Sequence, residues 1–194
     1  ANWKKKTRRL HGWNNKNTNR VSASIIRRKF MTITSAICNS FKVEILQGGH
    51  NFNDSSGAPT GNAFKLALFT EDATLSKSTT QYTAPTDASA DPTNTHEVST
   101  TSTGYPSGGN ALTASADPVL SGDTACIKFA DSSFGSATFT ARGCLIYNTT
   151  AVTGFTTNRS VCAINFGANK TVTSGTFTIQ FPAQTAGNAI IQIA

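Results

Sequence analysis

Short runs in which apolar and polar side chains alternate recur through this chain. In "GTFTIQFP" (175–182), Phe177, Ile179 and Phe181 fall on one side, and Thr176, Thr178 and Gln180 on the other. A period of two belongs to a strand with one face buried and one face wet. Comparable runs are "AFKLALFT" (63–70), with Phe64, Leu66 and Leu68 on one face, "TACIKFA" (124–130), "SATFTARGCLIYNTT" (136–150), "RSVCAINFGA" (159–168) and "NAIIQIA" (188–194). "PAQTAG", between the last two runs, reads as a hairpin loop. The runs recur at short spacing, separated by turn residues, with no helical pattern interleaved. That pattern predicts a mainly β fold, an antiparallel β-sandwich or small barrel.

One segment has a different period. In "TSAICNSFKVEILQGG", Ile33, Ile37, Phe41 and Ile45 recur every fourth residue, which predicts a helix over 34–47, capped by Thr34 or Ser35 and ended by Gly48. A helix this short needs its apolar stripe covered. The cover is either a neighbouring subunit, which makes the stripe an association face, or an open end of the β-body. The expected division is an arm over 1–30, an N-terminal helical segment over 31–48 and a β-sandwich domain over 49–194. Within the domain, "EVSTTSTGY" and "NALTASADPVL" read as edge strands. The Ser-, Thr- and Pro-rich stretch 83–110 reads as a long loop, with Tyr105 and Pro106 as a candidate exposed contact.

Charge divides the chain at Met31, its single methionine. Residues 1–30 carry ten of the 17 basic residues and no acid, so the remainder is slightly acidic. Two readings of the arm stand side by side. A basic segment without core residues can contact a polyanion, here through Lys4, Lys5, Lys6, Arg8, Arg9, Arg27, Arg28 and Lys29. Alternatively, Arg27-Arg28-Lys29-Phe30-Met31 can be written in purine-rich codons that form a ribosome-binding site ahead of a start codon. The arm is then upstream sequence read through, and the protein begins at Met31. Nucleic acid is a partner only on the first reading.

The usual signatures of catalysis are missing. His11, His50 and His96 stand far apart, and "GGHNF" reads as an ordinary loop histidine. There is no GxSxG, P-loop or GxGxxG. Glu71 and Asp72 read as solvated, and Arg142 as half of a cross-strand ion pair. Cys38, Cys126, Cys144 and Cys162 lack metal spacing and read as reduced, buried thiols. No apolar run reaches the roughly 18 residues of a membrane span. The expectation is a non-enzymatic protein without cofactor or metal.

Several stretches of the body, from "MTITSAICNSFKVEILQGGHNF" through "KLALFT" and "TGYPSGGNALT" to "ARGCLIYN", resemble a group of small β-rich proteins encoded in the structural modules of tailed bacteriophages. The resemblance runs over residues 31–194, and "PTDASADPTNTH" departs from it as an insertion. It implies a virion structural protein (head decoration, head fibre or tail component), assembled in the host bacterial cytoplasm and located in the virion. Such a protein acts as a homo-oligomer and by docking on other virion proteins. Two alternatives remain open: a receptor-binding or adhesin module, and an RNA-virus-like coat protein with a genuine basic arm.

Overall fold

The computed structural model describes residues 32–53, 60–83 and 96–194. Its architecture is mainly β: two antiparallel sheets and one short helix, without barrel closure. The larger sheet is built on a long hairpin, β6 (Ser132–Asn148) and β7 (Arg159–Ile179). Against β6 lies β2 (Phe64–Phe69), and beyond it β3 (Asn110–Leu112); β1 (Ala36–Ile37) flanks β7, giving the order β1-β7-β6-β2-β3. The smaller sheet has the order β4-β5-β8, from Val119–Ser121, Thr124–Ile127 and Ile191–Ile193. Gly122, at φ +62°, turns β4 into β5.

The central strands are apolar on both faces because both faces are covered. Leu66 and Leu68 of β2, with Cys144 and Ile146 of β6, enter the main core, which Phe129, Phe134, Phe181, Ile127 and Ile191 complete. Ala67 and Phe69, Leu145 and Tyr147, and Ala163 face the other way and meet Ile33, Ala73, Leu75 and Tyr82. A strand covered on both sides reads as a near-continuous apolar run. That is why "KLALF" and "CLIY" alternate less cleanly than "TFTIQF".

Three expectations need correction. The helix, α1, spans only Asn39–Leu46. Ile33 and Ile37 are extended: Ile33 bridges Leu75, and Ile37 pairs with Cys162. Backbone partners decide this, because the Thr34 N–H reaches the Leu75 carbonyl at 2.8 Å and the Cys38 N–H reaches Val161 at 2.9 Å. β-Branched residues favour such pairing over a helical turn. At the other end, Gly48 (φ +77°) does stop the helix. The Gly49 N–H bonds back to Glu44 and the Gly48 N–H to Ile45, a paired closure of the last turn.

The runs expected at 159–168 and 175–182 are parts of one strand, β7. "PAQTAG" is no hairpin loop: it carries the chain from β7 in the larger sheet to β8 in the smaller one.

Candidate functional site: a groove along the free edge of β7

Two buried polar constellations hold the fold, and internal partners engage both, although the Arg159 Nε makes no hydrogen bond. In the first, Glu97 is buried beside Tyr82, Tyr105 and Tyr147. Its carboxylate accepts the hydroxyls of Tyr82 (2.8 Å) and Tyr105 (2.7 Å) and the Gly108 N–H (2.9 Å). Burial pushes the Glu97 carboxyl above the usual range, and the three donors partly offset that shift. Burial likewise pushes Tyr82, Tyr105 and Tyr147 up. Tyr147 gives its proton to the Gly108 carbonyl. The glycine pair has a steric reason: both stand at φ +74°, and a Cβ on Gly109 would run into the Leu66 carbonyl.

In the second constellation, Glu44 of α1 meets His50 at 2.7 Å, and Arg159 of β7 lies 3.7 Å from the same carboxylate oxygen. Arg159 gives Nη2 to the Gly49 carbonyl at 2.6 Å and lies over the Phe155 ring at 5.2 Å. This cluster bolts α1 and its exit loop to the strand ends.

The surface left open lies along β7. Its outer edge is covered from Asn158 to Asn165 by residues 80–82 and by the 33–38 segment. Past Asn165, no described strand pairs with it on that side. Here the register steps from Gly143↔Asn165 to Ala141↔Lys170, so Arg142 alone faces residues 166–169. Such a bulge redirects side chains. It is pinned on both sides: the Asn165 carboxamide takes the Gly167 N–H at 2.8 Å and gives to the Ile33 carbonyl at 2.6 Å, and Asn169 donates to Glu71 at 2.9 Å.

The result is a groove of about 680 Å³. Ile164, Phe166, Phe177, Ile179 and Ile190 line it, all half-buried, while Lys170, Thr178 and Gln180 are exposed at its margin. Apolar floor, polar rim and unpaired strand edge together suit an extended polypeptide, which can add a strand to β7 and seat alternate side chains on the floor. A second apolar surface lies on the small sheet. Ile127 and Ile191 form a cross-strand row inside the core. The next row on that face, Leu120–Ala125–Ile193, overhangs it, with Leu120 73% and Ile193 50% exposed.

The residues singled out in the sequence are placed as follows. Ile33 and Phe41 are buried within the chain's own core, and Ile37 and Ile45 are half-buried against it. They do not form one helical face, because Ile33 and Ile37 belong to extended chain. Tyr105 is buried, so the expected contact loop folds inward here; Pro106 is exposed. The basic residues of the arm lie outside the described residues, as do 84–95 of the long loop. His50 lies in a loop but is buried and bonded at both ring nitrogens. Arg142 has no ion pair among the described residues. All four cysteines are free and buried.

Glu97 and Arg159 could not be singled out from sequence, because a buried charge on a strand margin has no pattern of its own. The groove had a faint signal: "SVCAINFGANKTVTSGTFTI" is too long for one ordinary strand and carries Gly167 inside the bulge opposite Arg142. Among the described residues, no group of three or more His, Cys, Asp or Glu side chains is placed to hold a metal ion. No protein-family model, curated protein or solved structure matches the chain.

Proposed function

We propose that this chain is a structural protein of a bacteriophage virion, without catalytic function, that works by repeated association of its β-body. The observation that carries the reading is the β7 groove: an apolar floor beside an unpaired strand edge, on a rigidly pinned bulge. Both buried polar constellations serve the fold, since their side chains are occupied by internal partners. The occupant of the groove is the overhanging Leu120 edge of a second copy. One chain then carries two unlike apolar surfaces that cover each other head to tail. A heterologous contact of this kind repeats from subunit to subunit, as a particle lattice or ring requires.

Mixing two half-defective variants tests this. Phe166→Asp blocks the groove, and Leu120→Asp blocks the edge. Sedimentation velocity should show concentration-dependent assembly for the wild type and monomers for each variant alone. An equal mixture should give dimers and nothing larger, because each variant keeps one good surface. A wild type that stays monomeric at high concentration overturns self-association, as does a mixture no larger than its parts.

A further inference from the structure

We propose that His50 is a pH-operated latch: as the neutral Nε2–H tautomer it ties α1 and its exit loop to the ends of β6 and β7, and protonation at Nδ1 releases them. The tautomer follows from the hydrogen-bond directions around Asn148. The Asn148 Oδ1 accepts the Thr150 N–H at 2.9 Å, so the amide cannot turn over without losing that bond. Its Nδ2 therefore faces His50 Nδ1 at 3.0 Å and the Asn62 Oδ1 at 2.8 Å. The Asn62 oxygen is fixed in turn, because it accepts the Asn51 N–H at 2.9 Å. An N–H pointing at Nδ1 means that Nδ1 is bare. The ring proton is then on Nε2, donated to Glu44 at 2.7 Å.

A second proton has nowhere to go. At Nδ1 it would meet the Asn148 N–H head on, and turning Asn148 over would set its oxygen against Asn62 Oδ1. The ring is enclosed by Phe41 (4.9 Å, edge on), with Phe52 and Phe64 stacked beyond at 6.3 and 6.4 Å. Two described charges face it: Glu44 from α1, which favours the cation, and Arg159 from β7, which opposes it. From β2, β6 and the 51–62 segment the described neighbours are Phe64, Asn148, Phe52 and Asn62, all uncharged. Burial outweighs the Glu44 attraction and holds the imidazole below its ordinary 6.5. What the latch holds is specific. Arg159 grips the Gly49 carbonyl and Asn148 approaches it, so the link from α1 into β2 is fastened at Gly49 and His50 together.

NMR on the full chain tests the latch, in a background with His11→Gln and His96→Gln so that His50 is the sole imidazole. At pH 7.5 the ring nitrogens should show a bare Nδ1 and a protonated Nε2. Titration should fall below pH 6.5. On acidification, amide exchange in 44–53 should rise about tenfold for each unit from 6.5 down to the lowered folded value and level off below it, corrected for the intrinsic pH dependence of exchange, while 64–69 and 143–147 stay protected. His50→Phe, which fits the aromatic cage, should abolish the pH dependence of that local opening. A proton on Nδ1 at neutral pH, a titration at or above 6.5, or unchanged protection of 44–53 through the titration overturns the proposal.

Discussion

Tyr105 donates to Glu97 at 2.7 Å, and the same phenol oxygen accepts the Leu68 N–H at 2.9 Å. One side chain thus fills the gap on the edge of β2 between β3, which pairs only as far as Leu66, and the 96–98 segment, whose Glu97 bridges Phe69. It also fixes the direction of the bond: an oxygen that accepts from Leu68 turns its own proton to Glu97. Tyr105→Phe should leave a buried backbone N–H without a partner and the carboxylate one donor short. A loss of about 2–4 kcal/mol, or roughly 4–12 °C in Tm, is expected. A calorimetric scan of the variant within 1 °C of the wild type, on the order of experimental error, would show that the phenol is not structural.

Glu97 also sets a pH signature. Its folded carboxyl lies above the 4.5 of a free glutamate because of burial. Between 4.5 and that raised value the native state binds more proton than the unfolded chain. Its contribution to stability is therefore full below 4.5 and is lost as pH rises through the folded value. Urea melts of wild type and Glu97→Gln across pH 4–8 should converge in their pH slopes only outside that window. Parallel curves throughout contradict a raised carboxyl.

The four thiols should be silent in the folded protein. Burial pushes Cys38 to about 11 and Cys162 to about 12, and drives Cys144 up as well. A thiol reagent at pH 8 should find almost no reactive cysteine in the native chain and four after denaturation. Rapid native labelling of Cys144 would contradict the packing of β6.

Gly143 should not tolerate alanine. A Cβ there would strike the Ile164 carbonyl and stand 2.9 Å from Ile33. Gly143→Ala should therefore lift the 33–38 segment off the sheet and lower Tm by several degrees. A chain begun at Met31 keeps this contact and should melt with the full-length chain; one begun at Asn39 loses Ile33 and should not. A full-length chain that melts several degrees above the Met31 start would show that residues 1–30 contribute to the fold.

What was legible in the sequence follows from what periodicity can carry. Phe177 and Ile179 announce their strand because a half-buried face leaves a period-two record. The α1 stripe misled because Ile33, Ile37, Phe41 and Ile45 are apolar for two different reasons. Two of them plug a sheet from extended chain, one sits in a helix core position, and one flanks it. Spacing alone does not separate these cases. Tyr105 looked like a contact residue in a glycine-rich loop, yet those glycines let the loop fold inward around Glu97. The β7 groove depends on where pairing stops, and pairing is a property of two segments that no single run of residues records.

If the protein is a virion subunit held through the β7 groove, it must be countable in particles. Particles from a phage encoding the chain, purified and quantified by mass spectrometry, should contain many copies of it, represented by peptides from 32–194. Particles from the Phe166→Asp genotype should contain few, while the isolated variant keeps its β-sheet signal. Wild-type particles without the chain, or equal incorporation of the variant, would contradict the account.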